Sequence, residues 1–367
     1  MDGRPLRVLG FMSGTSMDGV DVALVETDGE RIFRPVAAGT RPYPQAFRDR
    51  LAALVRTRGA DPLASEVLAR ELADLHAAAA EALLAGLPPA ERPVELAGFH
   101  GHTVDHRPKR GITLQIGDAA RLARRLGVPV VFDFRSEDVR RGGEGAPLAP
   151  VFHALLVRGG EKPAAVLNIG GIANLTWIGH DGALLAFDTG PGNALLDDWL
   201  AATTGAPFDE GGRLARSGHV DRERLARLLA HPFFDRPPPK SLDRNDFDTS
   251  VVEGLAPADG AATLAAFTVE AVARGLRFLP QPPRRWLVTG GGRRNVALLD
   301  GLRRRLAAPV DPVEAIGADG DALEAQAFAC LAVRVLRGLP TSFPSTTGVP
   351  APCCGGRIAH PADASPR

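Results

Sequence analysis

The chain has 367 residues, 45% of them hydrophobic and 23% charged, an ordinary balance for a soluble globular protein and enough length for two domains. Basic and acidic residues cancel at 43 each, so no global field favours nucleic acid or an anionic membrane surface. No run of about 18 apolar residues predicts a membrane span, residues 1–5 show no signal stretch, and three cysteines cannot frame a disulfide scaffold; together these features point to the cytoplasm.

In chain order, residues 7–11 and 20–26 are predicted strands around the turn Gly14-Thr15-Ser16-Met17-Asp18-Gly19. In the returning strand Val20, Val22 and Leu24 alternate with Asp21 and Ala23, as a half-buried strand requires. A helix is predicted over 65–87, where Leu68, Leu72, Leu75, Ala79 and Leu83 share one face. A second helix covers 118–126, with Gly127 as its left-handed cap, and 129–134 is a strand. Strands follow at 165–169, 175–178 and 184–187, with the turn Gly170-Gly171-Ile172-Ala173-Asn174 between the first two. The spacing of Leu264, Phe267, Ala271, Val272 and Leu276 predicts a helix over 263–279. Residues 286–289 form a strand that ends in Gly290-Gly291-Gly292, and Asn295 caps the next helix. The last strong helix, 322–336, is placed to cross back toward the first half. Boundaries are expected at 1–130 for an N-terminal lobe and 131–339 for a C-terminal lobe, with an irregular tail over 340–367, rich in Pro, Gly and Ala.

The two glycine turns are the informative feature. Glycines there let backbone N–H groups approach an anion closely. A P-loop or dinucleotide turn would run into a helix, whereas both of these return as strands. Of the three lysines, Lys109, Lys162 and Lys240, none lies beside either turn. Two matching hairpins suggest two similar half-domains gripping one polyphosphate. Thr15 and Ser16 offer hydroxyl donors, and the Asp18 carboxylate beside a phosphate grip calls for an intervening Mg²⁺. The plainer alternative is a tight hairpin with Asp18 and Gly19 as its type I′ pair.

Asp188 ends an apolar strand before a Gly-Pro turn, where a general base is useful, or where an Asx-turn is merely structural. Gly290, Gly291 and Gly292 permit a base or ribose to lie on the backbone; the alternative is a short strand–helix loop. The segment His100-Gly101-His102-Thr103-Val104-Asp105-His106 reads as a sugar-contacting loop, a polar turn, or a metal site without the usual fourth ligand. Glu324 falls in the first turn of the last helix, where the helix dipole already favours an acid. Arg135 and Asp138 follow the 129–134 strand, at the expected cleft between the lobes.

In this order the motifs resemble those of the anhydro-N-acetylmuramic acid kinase family. They are Gly-Phe-Met-Ser-Gly-Thr-Ser-Met-Asp-Gly-Val-Asp (10–21), His-Gly-His-Thr-Val (100–104), Leu-Gln-Ile-Gly-Asp (114–118) and Asp-Phe-Arg (133–135). Gly-Ala-Pro-Leu-Ala-Pro (145–150), Asn-Ile-Gly-Gly-Ile-Ala-Asn-Leu-Thr (168–176), Phe-Asp-Thr-Gly-Pro-Gly-Asn (187–193), Thr-Gly-Gly-Gly (289–292) and Asp-Ala-Leu-Glu-Ala-Gln-Ala-Phe-Ala (321–329) complete the set. The resemblance implies an α/β, two-lobed actin/hexokinase-like (ribonuclease H-like) fold with the active site in the interdomain cleft. It implies ATP and Mg²⁺ as cofactors, a 1,6-anhydro muramic sugar as substrate and a homodimer. It further implies nucleotide contacts from Gly14, Thr15, Ser16, Met17, Asp18, Gly19, Val20 and Asp21, from Gly170, Gly171 and Asn174, and from Gly290, Gly291, Gly292 and Asn295. Asp188 matches the catalytic base, His100, Arg135 and Glu324 match the sugar site, and Asp18 is the candidate metal ligand. The chain departs from the family pattern at His102, where Gln is frequent, at residues 140–144 and in the 240–245 loop.

Overall fold

The computed structural model describes residues 3–14, 16–242 and 246–362. Twelve strands occur among them: β1 Leu6–Ser13, β2 Gly19–Thr27, β3 Phe33–Pro42, β4 Leu96–Arg107, β5 Ile112–Ile116, β6 Val130–Phe132, β7 Ala164–Ile169, β8 Ile172–Ile178, β9 Leu184–Pro191, β10 Arg285–Thr289, β11 Val310–Pro312 and β12 Arg357–Ala359. They form two sheets, one in each of two compact units: residues 1–158 with 321–367, and residues 159–320.

Both sheets repeat one plan. In the first, β1, β2 and β3 form an antiparallel meander, and β4 and then β6 add parallel to β1. In the second, β7, β8 and β9 form the meander, and β10 and then β11 add parallel to β7. A parallel neighbour needs a long crossover. The helices Gln45–Arg56 and Pro62–Ala85 lie between β3 and β4, and the helix Pro257–Gly275 lies within the crossover from β9 to β10. Three antiparallel strands followed by two parallel ones is the ribonuclease H-like order, present here twice.

The division differs from the sequence expectation. β6 pairs with β4 through Gly98 and Val131, so residues beyond 130 stay with the first unit. The helix Leu323–Leu336 returns to that unit and packs on β1, β2 and β4. Gly10 on β1 and Gly98 on β4 make this possible, because a Cβ on either would overlap the helix carbonyls of Ala325 or Phe328. The segment expected to be an irregular tail is also built in. Thr341 and Ser342 donate their N–H groups to the Cys353 carbonyl, and β12 pairs antiparallel with β6. Such long-range pairing leaves no local sequence signal.

Each unit has its own apolar interior. In the first, Leu9, Phe11, Phe47, Leu72 and Phe99 pack between the sheet and the helices Gln45–Arg56 and Pro62–Ala85. In the second, Phe187, Trp199, Phe233, Phe267 and Trp286 anchor the core. Burying an aromatic side chain of this size contributes about 1.5–3 kcal/mol before entropy is subtracted. No helix among the described residues is long and apolar enough to cross a membrane.

Candidate active site

In the first unit, β1 and β2 run antiparallel with Met12 opposite Asp21 and turn at 14–18. Thr15 lies outside the described residues. The turn is closed by the Met17 N–H donating to the Gly14 carbonyl at 3.0 Å. Among its described residues Met17 is left-handed, with φ 55°. Asp18 and Gly19 are therefore not a type I′ pair, which would place both at positive φ; Gly19 already belongs to β2. The Ser16 hydroxyl donates to Asp18 Oδ1 at 2.8 Å, and both side chains are exposed. Val20 is buried in the core, and Asp21 Oδ1 accepts from the Thr40 hydroxyl at 2.6 Å.

The His100–His106 segment is strand, not loop or turn: it lies within β4. His100 uses both ring nitrogens, Nδ1 bonding the Gly101 carbonyl at 2.9 Å and Nε2 accepting from Arg135 Nε at 3.0 Å. That pattern fixes a neutral imidazole. Burial, and then the adjacent guanidinium, hold its pKa well below the ordinary value. Burial also lowers Arg135 to about 10, against the pull of Glu324 and Asp138. Desolvation raises the Glu324 pKa, Arg135 opposes this, and Asp21 adds to it. The Glu324 side chain nonetheless reaches solvent. The structure thus brings His100, Arg135 and Glu324 together. No group of three or more His, Cys, Asp or Glu residues among those described is arranged to hold a metal unaided.

In the second unit, a polar row crosses four strands. Thr289 on β10 lies opposite Asn168 on β7, Asn168 opposite Asn174 on β8, and Asn174 opposite Asp188 on β9. A register shift between Ala173 and Asn174 sets the last pairing, and such irregularities re-aim side chains beside active sites. The Asp188 carboxylate is held by the 240–242 segment: its Oδ2 accepts from the Leu242 N–H at 2.9 Å. Its own N–H donates to the Lys240 carbonyl at 3.0 Å. Local sequence gave no hint of this support, which arrives from more than fifty positions away. Lys240 stands near the rings of Phe233, Phe278 and Phe187, at 4.4, 4.8 and 5.9 Å from ammonium to centroid. Burial and nearby arginines lower it to about 8. Asp243, Arg244 and Asn245 of that loop lie outside the described residues.

The glycines separate into two kinds. Gly290 has φ 72°, and an added Cβ would sit 2.5 Å from Asn168 Oδ1 and 2.6 Å from the Ile169 carbonyl oxygen. Gly292 packs against Ile169 in the same way. The chain's own atoms therefore explain both. At Gly14, Gly170, Gly171 and Gly291, an added Cβ would meet nothing nearer than 3.6 Å, an ordinary contact, and none has left-handed φ. The fold does not demand glycine at those four positions. Asn295 caps the helix Val296–Arg305, its Oδ1 accepting from the Leu298 N–H at 3.2 Å.

The comparisons with known proteins bear on the whole chain. The family model for anhydro-N-acetylmuramic acid kinase matches residues 6–361. Proteins named anhydro-N-acetylmuramic acid kinase from Acidiphilium cryptum and Rhodospirillum rubrum are 55% and 53% identical to it. The first alignment covers 98% of this chain and 100% of that relative, the second 95% and 92%. The relative of the same name from Paramagnetospirillum magneticum is 54% identical over 95% of this chain and 98% of its own length. The chain therefore belongs to the anhydro-N-acetylmuramic acid kinase family.

Proposed function

We propose that this protein opens 1,6-anhydro-N-acetylmuramic acid with water and transfers the γ-phosphoryl group of ATP to O6. The products are N-acetylmuramic acid 6-phosphate and ADP, and the role is reuse of cell-wall sugars. Membership of the family over nearly the full chain carries the reading. The four uncrowded glycines support it independently, since a ligand lying against the backbone is the remaining physical reason for glycine there.

Asp188 is the base. Its carboxylate takes a proton from water as the water oxygen bonds to C1. The C1–O6 bond breaks toward O6, which gains the electron pair. O6 then bonds to the γ-phosphorus as the bond to ADP breaks, and the proton passes from Asp188 to solvent. A positioned base contributes roughly 10²–10⁴-fold. The Leu242 N–H keeps the Asp188 carboxylate oriented before substrate arrives, and the Asp188 N–H, donating to the Lys240 carbonyl, ties its backbone to the same segment. In the first unit, neutral His100 and cationic Arg135 bind the sugar with Glu324.

The segments 14–21 and 170–174 supply N–H groups to the phosphates, and residues 290–292, with Asn295, receive the adenosine. Phosphoryl transfer asks mainly for alignment and charge neutralisation of this kind. Mg²⁺ fits the donors present: it is commonly held by one or two carboxylates together with substrate phosphates, and Asp18 offers an exposed carboxylate at the turn. Bound there, it would neutralise phosphate charge. A homodimer acting in the cytoplasm completes the reading.

The test follows ADP release with ATP, Mg²⁺ and the anhydro sugar, against N-acetylmuramic acid and common hexoses as alternative acceptors. Turnover with the anhydro sugar alone is expected. Preference for an ordinary hexose would assign another sugar kinase of this fold. Rapid ADP release without any sugar would assign a phosphohydrolase.

A further inference from the structure

Tyr43 follows β3 directly, and it touches both ends of the 14–18 turn. Its N–H donates to the Asp18 carbonyl at 2.9 Å, and its hydroxyl donates to Ser13 Oγ at 2.7 Å. Ser13 in turn bonds His102 Nδ1 at 2.9 Å. A register irregularity between Phe11 and Ser13 is what sets Ser13 opposite His102 across β1 and β4. Tyr43, Ser13 and His102 are 5%, 2% and 1% exposed. The Tyr43 ring is fixed by Phe47, with centroids 4.9 Å apart.

We infer that Tyr43, with Ser13 and His102 behind it, is a positioning residue that clamps the phosphate-gripping turn in its binding shape. The role rests on the proposed function, because it presumes that the turn grips phosphate. Within the turn, Ser16 and Asp18 are exposed and an added Cβ at Gly14 would meet only ordinary contacts, so apart from Met17, which packs against the first core, the clamp is what defines the loop. The clamp grips it where it leaves β1 and where it enters β2. A turn whose N–H groups are already aimed loses less entropy when it binds an anion.

The chain has a single tyrosine, so the clamp can be observed directly. Protein carrying 3-fluorotyrosine should give one ¹⁹F resonance, and ADP with Mg²⁺ should shift it. Calorimetry should show Tyr43→Phe weakening a non-hydrolysable ATP analogue about five- to tenfold, the equivalent of one net hydrogen bond, with the sugar KM unchanged within about twofold. His102→Leu, which removes that hydrogen-bond partner, should match that loss, and His102→Gln, which can bond Ser13 in its place, should restore affinity to within about twofold of wild type. An unshifted resonance, an unchanged analogue affinity in Tyr43→Phe, or equal weakening of nucleotide and sugar would each overturn the clamp. If wild-type protein binds no nucleotide, the phosphate-grip reading falls and the clamp with it. Wild-type binding with an indifferent Tyr43→Phe removes the clamp alone.

Discussion

Replacing Gly171 and Gly290 separately by alanine distinguishes a glycine kept for a ligand from one kept for the fold. At Gly290 the methyl group meets Asn168 Oδ1 at 2.5 Å and the Ile169 carbonyl oxygen at 2.6 Å, on a backbone with φ 72°. The left-handed conformation costs an alanine about 1–2 kcal/mol, and the overlap about 1–3 more. At about 2–4 °C per kcal/mol for a domain of this size, Gly290→Ala should melt roughly 4–20 °C lower. At Gly171 the nearest atom to the new methyl group is Ala194 Cβ at 3.6 Å, and φ is not left-handed. Reduced freedom of the unfolded chain should then leave Gly171→Ala neutral or more stable by about 0.4–1 kcal/mol. On the proposed reading, the same methyl group stands where phosphate approaches. Overlap costing about 1–3 kcal/mol there would raise the KM for ATP roughly 5- to 150-fold. Thermal melts and ADP-release kinetics on both variants read the two effects apart. A Gly171→Ala protein that melts lower and keeps its KM for ATP would refute the reasoning.

Two further expectations concern buried polar groups. His76 is fully buried between Phe11 and Phe99, bonds the Leu72 carbonyl through Nδ1 at 2.7 Å, and has no partner for Nε2 among the described residues. Burial holds its pKa down at about 3, against 6.5 when unfolded. The unfolded state therefore binds the extra proton between those values. Stability rises with pH across that window and is lost on acidification, by about 1.4 kcal/mol per pH unit for each such histidine. His76→Phe should flatten that slope by one proton in denaturant titrations from pH 6.5 to 4; an unchanged slope would remove His76 from the account. Asp138 joins the 136–145 segment to the C-terminal one, Oδ1 accepting from the Gly145 N–H at 2.7 Å and Oδ2 from the hydroxyls of Ser342 and of Thr347, the latter at 2.6 Å. Asp138→Ala strands buried donors at about 1–3 kcal/mol each. It should lose at least 3 kcal/mol and expose the 342–356 segment to protease; resistance equal to wild type would argue otherwise.

Much of this was legible locally. The paired hairpins, the Gly127 cap with φ 69° and the Asn295 cap each follow from adjacent residues and are present, although the second turn is shorter than read, since residues 172–174 already pair within β8. Pairing between distant segments was not legible. The His100–His106 stretch reads as a loop because polar residues crowd it, yet β1, β5 and β6 pair along β4. Residues 341–359 look irregular until β12 finds β6. The triple glycine reads as one ligand surface, whereas Gly290 and Gly292 answer to Ile169, and Gly291 alone has room above it. Likewise, nothing near Asp188 in sequence announces that Leu242 will hold its carboxylate, or near Ser13 that Tyr43 will hold its hydroxyl.

The central claim is coupled hydrolysis and phosphorylation at one sugar, with Asp188 as the base. Incubation with ATP, Mg²⁺ and 1,6-anhydro-N-acetylmuramic acid in ¹⁸O-water, followed at once by mass spectrometry, tests it directly. The account predicts a phosphorylated sugar carrying ¹⁸O on its anomeric carbon, lost in Asp188→Asn. A phosphorylated sugar with the anhydro bridge intact, no phosphorylated product from this sugar, or full labelling in Asp188→Asn would contradict it.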